Sequence, residues 1–180
     1  MLTALMGALV LAQFAPTGSM VTARAQTPAR ARLGDPEVLG AIGARDANLI
    51  EAAKLATTKA GSAEVKSFAA EVLASHERSL TRGGVLAKEL NLSRTLPADS
   101  AMARLQTTKM DELSLLSGAE FDRVFVQYVY DAHDAEVSKV IGPLQAQAQH
   151  ASVRTFVSDR LPELRAHHAT AQTWLAAHRQ

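Results

Sequence analysis

Histidine is the residue type in this chain whose spacing could support chemistry. Six histidines occur, and three of them, His76, His133 and His167, fall on the apolar stripes of predicted helices. Imidazole nitrogens bind transition metals and transfer protons near neutral pH. Because the chain has no cysteine, any metal site must use nitrogen and oxygen ligands.

Counting along the helices predicts that these three histidines share one level. His76 follows the turn at Gly61 by 15 residues, and His133 follows Gly118 by 15 residues. At the rise of an α-helix, both lie about 22 Å from the same end of a bundle. His167 lies about 17 residues beyond the last turn, which places it within roughly one helical turn of that level.

Asp46 is the carboxylate that best completes this layer. It precedes Gly61 by 15 residues and lies within about 40° of the apolar stripe of its helix. Glu51 faces away from that stripe, and Glu136 and Glu163 occupy edge positions. The predicted metal site consists of Asp46, His76, His133 and His167. This ligand set would suit Zn²⁺, Cu²⁺ or Fe²⁺.

The same histidines also have a purely structural interpretation. Buried histidines in helical bundles are often hydrogen-bonded core residues that fix the packing. Here they could pair with Asp46, Tyr130 or Glu163 without a metal. The sequence leaves both interpretations open, and with them the identity of any cofactor.

Composition and periodicity predict an all-α chain. Residues after Asp35 are rich in Ala, Leu, Glu, Lys and Arg, and apolar residues recur three and four positions apart. The first helix is predicted over 36–60, with Asp35 as N-cap and Pro36 at its first position. Gly142-Pro143 should kink a later helix, and Pro162 should disturb the last one. The remaining helices are predicted over 62–91, 101–116, 119–147 and from about 152 onward.

A short internal repeat relates two of these helices. Residues 64–68, Glu-Val-Lys-Ser-Phe, are similar to residues 152–156, Ser-Val-Arg-Thr-Phe, at an offset of 88 residues. Two related helical hairpins joined by a long connection are typical of a ferritin-like four-helix bundle. We therefore expect such a bundle over residues 36–180, with a long helical crossover between its second and third helices.

Four motifs are distinctive as a set. They are Glu64-Val65-Lys66-Ser67-Phe68-Ala69, Ser117-Gly118-Ala119-Glu120-Phe121-Asp122, Asp131-Ala132-His133 and Leu161-Pro162-Glu163-Leu164-Arg165-Ala166-His167. Through them the chain resembles an exported bacterial family known as domain of unknown function 4142, over about residues 37–178. The resemblance implies export and a ferritin-like fold, and it implies no activity.

The chain departs from the ligand pattern of ferritin-like di-iron proteins. Those sites use glutamate three residues before histidine, whereas this chain has Leu73, Tyr130 and Leu164 at those positions. Enzyme motifs are also missing. Ser75 and His76 are adjacent on a helix and point about 100° apart, which argues against a nucleophile and base pair. No glycine-rich phosphate loop occurs. The sequence therefore favours a protein without catalytic activity.

The charge balance excludes some partners. The chain has 19 basic and 18 acidic residues, so no bulk positive field would attract nucleic acid. The protein partner is not identifiable from the sequence, and a metal ion is possible. We interpret the chain first as an exported helical bundle that acts as an envelope or stress-related interaction module. The alternative is a metal-binding or metal-sequestering protein that uses the inward histidines.

The N-terminal residues 1–25 are predicted to be a cleaved signal peptide. An apolar run of about 13 residues, from Leu2 to Phe14, is followed by Ala23-Arg24-Ala25, and it is too short to span a bilayer. Residues 26–35 are predicted to be a flexible leader. Cleavage would remove Arg24 and no acidic residue, leaving a neutral chain with no integral membrane segment. A periplasmic or secreted location follows.

Overall fold

A computed structural model describes residues 33–95 and 100–179, with the backbone alone for residues 100–107. The predicted signal peptide and residues 26–32 of the predicted leader lie outside the described residues. No helix within the described ranges is both long and apolar enough to cross a membrane.

The described residues are helical and contain no β-strand, which confirms the all-α prediction. The helices are α1 (Asp35–Lys59), α2 (Ala63–Glu89), α3 (Ser100–Leu115), α4 (Gly118–Ala135), α5 (Ile141–Gln147), α6 (Ala151–Ser158) and α7 (Leu161–Ala177). A π-helical turn, Glu136–Val140, joins α4 to α5. An isolated backbone bridge pairs Ala60 with Gly118.

The first helix begins differently from the prediction. Gly34 is its N-cap, and Asp35 is already helical. The Gly34 N–H donates to the Glu37 carboxylate at 2.9 Å. Asp35 is used elsewhere, because its two oxygens accept the backbone N–H groups of Gln149 and His150 at 2.7 and 3.0 Å. Its short acidic side chain therefore caps the turn before α6, not its own helix.

The same capping contact occurs in the other half of the molecule. Asp122 of α4 accepts the N–H groups of Gly61 and Ser62, both at 2.9 Å, at the turn before α2. Asp35 and Asp122 are 87 residues apart, and the two capped turns are 88 residues apart. These reciprocal contacts support the relation between two helical hairpins that the internal repeat predicts.

The two proline positions have different consequences. The irregularity expected at Gly142-Pro143 lies just before them, in the π-helical turn, where the Ile141 N–H donates to the Glu136 carbonyl. Pro143 has no N–H, and a wider turn before it relieves the clash of its ring with the preceding turn. Pro162 lies at the start of α7, so the predicted last helix is two helices.

The core consists of two apolar clusters with polar residues between them. One cluster includes Val65, Phe121 and Trp174. The other includes Ile42 and Leu164. Each of the helices α1, α2 and α7, and the continuous stretch from α4 to α5, contributes residues to both clusters. In each of them, a buried polar residue lies between the residues of one cluster and those of the other. These residues are Asp46, His76, His133 and His167.

Candidate metal centre

Four helices place four polar side chains in one buried layer. Asp46 comes from α1, His76 from α2, His133 from α4 and His167 from α7. Their exposed fractions are 0%, 2%, 0% and 7%. The structure therefore brings together all four residues that the sequence nominated. Helical rise alone accounts for their common level, because each lies at a similar distance from the turns that begin or end its helix.

Three imidazole nitrogens converge. The Nε2 atoms of His76 and His133 are 3.3 Å apart, and His133 Nε2 is 3.1 Å from His167 Nδ1. One ligand atom from each ring lies within 4.8 Å of the other two. A metal held tetrahedrally by three imidazoles separates their nitrogens by about 3.3 Å, given metal–nitrogen distances of about 2.0–2.1 Å. The cluster is thus close to the geometry of a metal site.

The outer nitrogens of two rings fix where the protons lie. His133 Nδ1 is 2.8 Å from the Val129 carbonyl oxygen, which can only accept a hydrogen bond. His76 Nδ1 is 2.8 Å from Asp46 Oδ1. We assign an N–H to both Nδ1 atoms from this network. In neutral rings, the two facing Nε2 atoms then both carry lone pairs, and either a proton or a metal ion could bind them.

Asp46 lies behind His76 as seen from the other two histidines. It contacts the His76 nitrogen that faces away from His133. Its other oxygen accepts from Ser79 Oγ at 2.8 Å, and Arg160 donates to both Asp46 oxygens at 2.9 and 3.1 Å. With both oxygens engaged, Asp46 is placed to orient His76 and not to contact a metal directly. A carboxylate behind a ligating histidine is a common arrangement in metal proteins.

A buried ion network extends from Asp46. Arg160 donates from Nη2 to Glu136 Oε1 at 3.0 Å, and it also contacts the Ser79 hydroxyl. Arg160, Asp46 and Glu136 are all buried, so each charge depends on the others. Sequence reasoning placed Glu136 at an edge, whereas the structure buries it at the first residue of the π-helical turn. Arg160 had one sequence signal, its place on the apolar stripe between Val157 and Leu164.

The pKa values of the site follow from burial and neighbouring charge. Burial, together with the nearby His76 and His167, lowers the pKa of His133 to about 3. Burial, with His76 adding to the effect, lowers the pKa of His167 to about 4. Both rings are therefore neutral at physiological pH, which is the state that binds a metal.

The carboxylate and guanidinium keep their charges. Burial alone would raise the pKa of Asp46, but the hydrogen bond from His76 and the charge of Arg160 hold it below its ordinary value. Burial alone would lower the pKa of Arg160, but Glu136 and Asp46 hold it above its ordinary value. The layer thus combines the neutral imidazoles of His133 and His167 with a charged network of Asp46 and Arg160.

Glu163 lies outside this layer, in agreement with the edge position expected for it. Its side chain is half exposed, accepts from Ser75 Oγ at 2.7 Å and pairs with Arg78 at 3.0 Å. Ser75 is thus hydrogen-bonded to Glu163. The sequence analysis argued against Ser75 and the adjacent His76 as a nucleophile and base pair. The hydrogen bond from Ser75, more than the partial burial, sets the lowered pKa of Glu163.

Comparison with known proteins identifies a family and a fold. The profile of the family described as "Domain of unknown function (DUF4142)" matches residues 19–174. No curated protein matches the chain.

Two solved structures are similar in fold. A DUF305 fragment from Deinococcus radiodurans has a TM-score of 0.71 at 14% identity, covering 79% of this chain and 95% of its own. A DUF305 protein from Streptomyces coelicolor, described as a candidate secreted protein, has a TM-score of 0.68 at 11% identity, covering 79% of this chain and 92% of its own. At such identities the similarity establishes the fold alone.

Proposed function

The chain belongs to the DUF4142 family, whose description names no activity, and from the geometry of its buried layer we propose that it binds one transition-metal ion through His76, His133 and His167. One observation carries the proposal. The Nε2 atoms of His76 and His133 face each other at 3.3 Å, and His167 Nδ1 lies beside them. In both facing rings, the other nitrogen, Nδ1, already serves as a hydrogen-bond donor. A metal ion would bind the lone pairs of both Nε2 atoms, and His167 Nδ1 would supply a third when the proton of that ring is on Nε2.

The ligand set favours Zn²⁺ or Cu²⁺ over Fe²⁺. Imidazole suits both of these borderline metals, whereas non-haem iron sites usually add carboxylate ligands. Here Asp46 hydrogen-bonds to His76, and the Glu-x-x-His pairs of di-iron proteins are missing from the sequence. We propose Asp46 as the residue that orients His76 and strengthens it as a ligand, with three histidines as the direct ligands.

Calorimetric titration tests the proposal. Chelator-treated protein should bind one equivalent of Zn²⁺ or Cu²⁺, and the metal should raise the thermal midpoint by mass action on the folded state. His133→Gln should remove both effects, because it takes away the central nitrogen of the cluster. His168→Gln is the matched control, since it makes the same change one residue from His167, at a ring that stacks on Tyr130 instead.

Two results would count against this site. One is a metal stoichiometry that is unchanged in His133→Gln and in a His76→Gln variant. The other is an absence of binding by wild-type protein for Zn²⁺, Cu²⁺ and Fe²⁺ in turn. Circular dichroism of each variant establishes that the bundle is folded before binding is compared.

A structural role for the cluster is the competing proposal, and one observation favours it. A single added proton on His76 would let that ring donate to both Asp46 and His133, which closes the network without a metal. The protein would then be an exported interaction module, with the histidines fixing its packing. Under that proposal, His133→Gln lowers stability equally with and without metal.

We also propose that the protein acts outside the cytoplasm and that its bundle is ferritin-like. The apolar N-terminal run and Ala23-Arg24-Ala25 support export, as does a fold neighbour described as a candidate secreted protein. The reciprocal capping of two related hairpins and the helix α3 between them support the ferritin-like topology. A buried site in an exported bundle would suit metal sequestration.

A further inference from the structure

The buried histidine cluster comes nearest to solvent at His167. Its exposed fraction is 7%, compared with 2% for His76 and 0% for His133. The Nδ1 atom of His167 faces His133, and its Nε2 atom makes no hydrogen bond with any residue that the structure describes. An ion that enters the proposed metal site from water therefore meets the ring of His167 before the other two.

Three polar side chains of α2 and α7 lie beside this ring. Ser75 is next to His76 in the chain, and Glu163 precedes His167 by four residues, so Glu163 and His167 share a face of α7. Ser75 Oγ donates to Glu163 Oε2 at 2.7 Å, and Arg78 Nη2 donates to Glu163 Oε1 at 3.0 Å. Burial and His76 lower the pKa of His167, Glu163 opposes this effect and Arg78 adds to it. Both charged groups therefore act on the His167 ring.

Arg78 and Glu163 form an ion pair that can open without unfolding the bundle. Their side chains are 62% and 51% exposed. Exposed pairs of this kind contribute only about 0–1 kcal/mol. Ser75 is buried, and its hydrogen bond keeps the carboxylate at the contact between α2 and α7 when Arg78 moves away. A carboxylate released from its arginine is a ligand for Zn²⁺ and similar ions.

We infer that Glu163 is the entry ligand of the metal site, meaning the first protein group that binds the incoming ion. The ion replaces Arg78 at the carboxylate and is then transferred to the three histidine nitrogens, after which Arg78 pairs with Glu163 again. The inference rests on the proposed metal site. Because Glu163 lies outside the layer that holds the bound ion, it contacts the ion only in transit. Its removal should therefore slow loading and release equally and leave the affinity unchanged.

Stopped-flow kinetics can test the entry role. Mixing chelator-treated protein with Zn²⁺ and a coloured zinc indicator measures the loading rate, and mixing the loaded protein with excess chelator measures release. Glu163→Gln should lower both rates roughly tenfold, while Kd stays within about twofold of the wild-type value. Arg78→Gln should load faster than wild type, because the carboxylate no longer has a competing cation. An ion pair that served only to stabilise the bundle would change both variants in the same direction.

Asp159→Asn is the matched control. It removes an exposed carboxylate that pairs at 3.1 Å with Arg82, four residues beyond Arg78 on α2, and it should load at the wild-type rate. The inference is overturned if Glu163→Gln loads as fast as Asp159→Asn, or if Glu163→Gln loses affinity without loading more slowly. Both results require a wild-type protein that binds one equivalent of Zn²⁺, so they leave the proposed metal site standing. A wild-type protein that binds no metal overturns the metal site and the entry role together.

Discussion

The residue that most determines the properties of the buried layer is His133. Its Nδ1–H donates to the Val129 carbonyl, and its Nε2 lies within 3.3 Å of nitrogens from two other helices. Because a backbone carbonyl cannot donate, the proton of this ring is fixed on one side and the lone pair on the other. His76 is fixed in the same way by Asp46. Hydrogen bonds outside the cluster therefore set which ring nitrogens of His76 and His133 face each other.

Asp46→Asn tests the orienting role of this carboxylate. The amide keeps the shape but loses the charge that holds the His76 N–H and Arg160, so metal affinity should fall by about 10- to 100-fold, as is typical for such supporting residues. Calorimetric titration with Zn²⁺ measures the change. Ser79→Ala, which removes only one hydrogen bond to Asp46, should have a much smaller effect. A loss of metal stoichiometry in Asp46→Asn would instead indicate that Asp46 is a direct ligand.

The lowered histidine pKa values predict a loss of stability in mild acid. In the unfolded chain histidine titrates near 6.5, whereas folding lowers the pKa of His133 to about 3 and that of His167 to about 4. Below pH 6.5 these two histidines are protonated in the unfolded state but stay neutral in the folded state. The free energy of unfolding therefore decreases as the pH is lowered below 6.5, by about 1.4 kcal/mol per pH unit for each ring.

Urea denaturation of the metal-free protein at pH 7.5 and 5.5 measures this effect. The two rings together predict a loss of about 3 kcal/mol at the lower pH. His133→Gln should show a smaller loss, because one of the two titrating rings is gone. Equal pH dependence in wild type and variant would contradict the assignment.

At the scale of the helices, the turn between α1 and α2 positions the layer from one end. Gly61 lies against the backbone of Gly118, and a Cβ added at Gly61 would lie 2.8 Å from Gly118 backbone atoms. Gly118 itself has a φ of 65°, which favours glycine. Asp122 caps this same turn. The close approach of two backbones sets the starting level of both α2 and α4, and hence the relative height of His76 and His133.

Gly61→Ala should therefore destabilise the protein by roughly 1–3 kcal/mol, because neither backbone can move easily away from the added methyl group. Gly142→Ala is the control. Its added Cβ would meet nothing within 4 Å, and alanine favours a helix, so a gain of up to about 1 kcal/mol is expected. Thermal denaturation of both variants measures the difference. Equal thermal midpoints for Gly61→Ala and Gly142→Ala would show that the backbones at Gly61 and Gly118 can move apart without loss of stability.

At the scale of the whole molecule, the chain combines a formal net charge of only +1 with a buried ionic layer. The layer lies between two apolar clusters and is itself buried. The mutual contacts of Arg160, Asp46 and Glu136 offset part of the cost of burying them. A buried polar network of this kind is destabilising when a member lacks its partner, and it rigidifies the core when its members are paired. Such a network is therefore expected where the side chains of a site must be held in one geometry.

Export is the prediction that belongs to this scale. Protein recovered from the periplasm of a Gram-negative host should begin at Gln26, because cleavage is expected after Ala23-Arg24-Ala25. N-terminal sequencing or intact mass measures the start. Recovery of chains that begin at Met1 in a membrane fraction would contradict the prediction. These residues lie outside the part of the chain that the structure describes.

The sequence determined the fold class and the common level of the histidines. Both depend on properties that act locally: an apolar period near 3.6 residues, turns marked by glycine and serine, and a fixed rise per residue. His76 and His133 could therefore be aligned by counting from Gly61 and Gly118 alone. The family motifs could likewise be recognised from short runs of residues.

Only the tertiary structure decided the roles within the layer. A helical wheel assumes 100° per residue, and on that assumption Glu136 lies at the edge of the apolar face of its helix. The π-helical turn that begins at Glu136 changes this angle, so the wheel does not give the burial of Glu136. Which nitrogen of each ring faces inward depends on partners from other helices, such as Asp46 for His76. The burial of Arg160 follows from two carboxylates that approach it from 24 and 114 residues away. Contacts of that kind come from packing, which sequence periodicity does not encode.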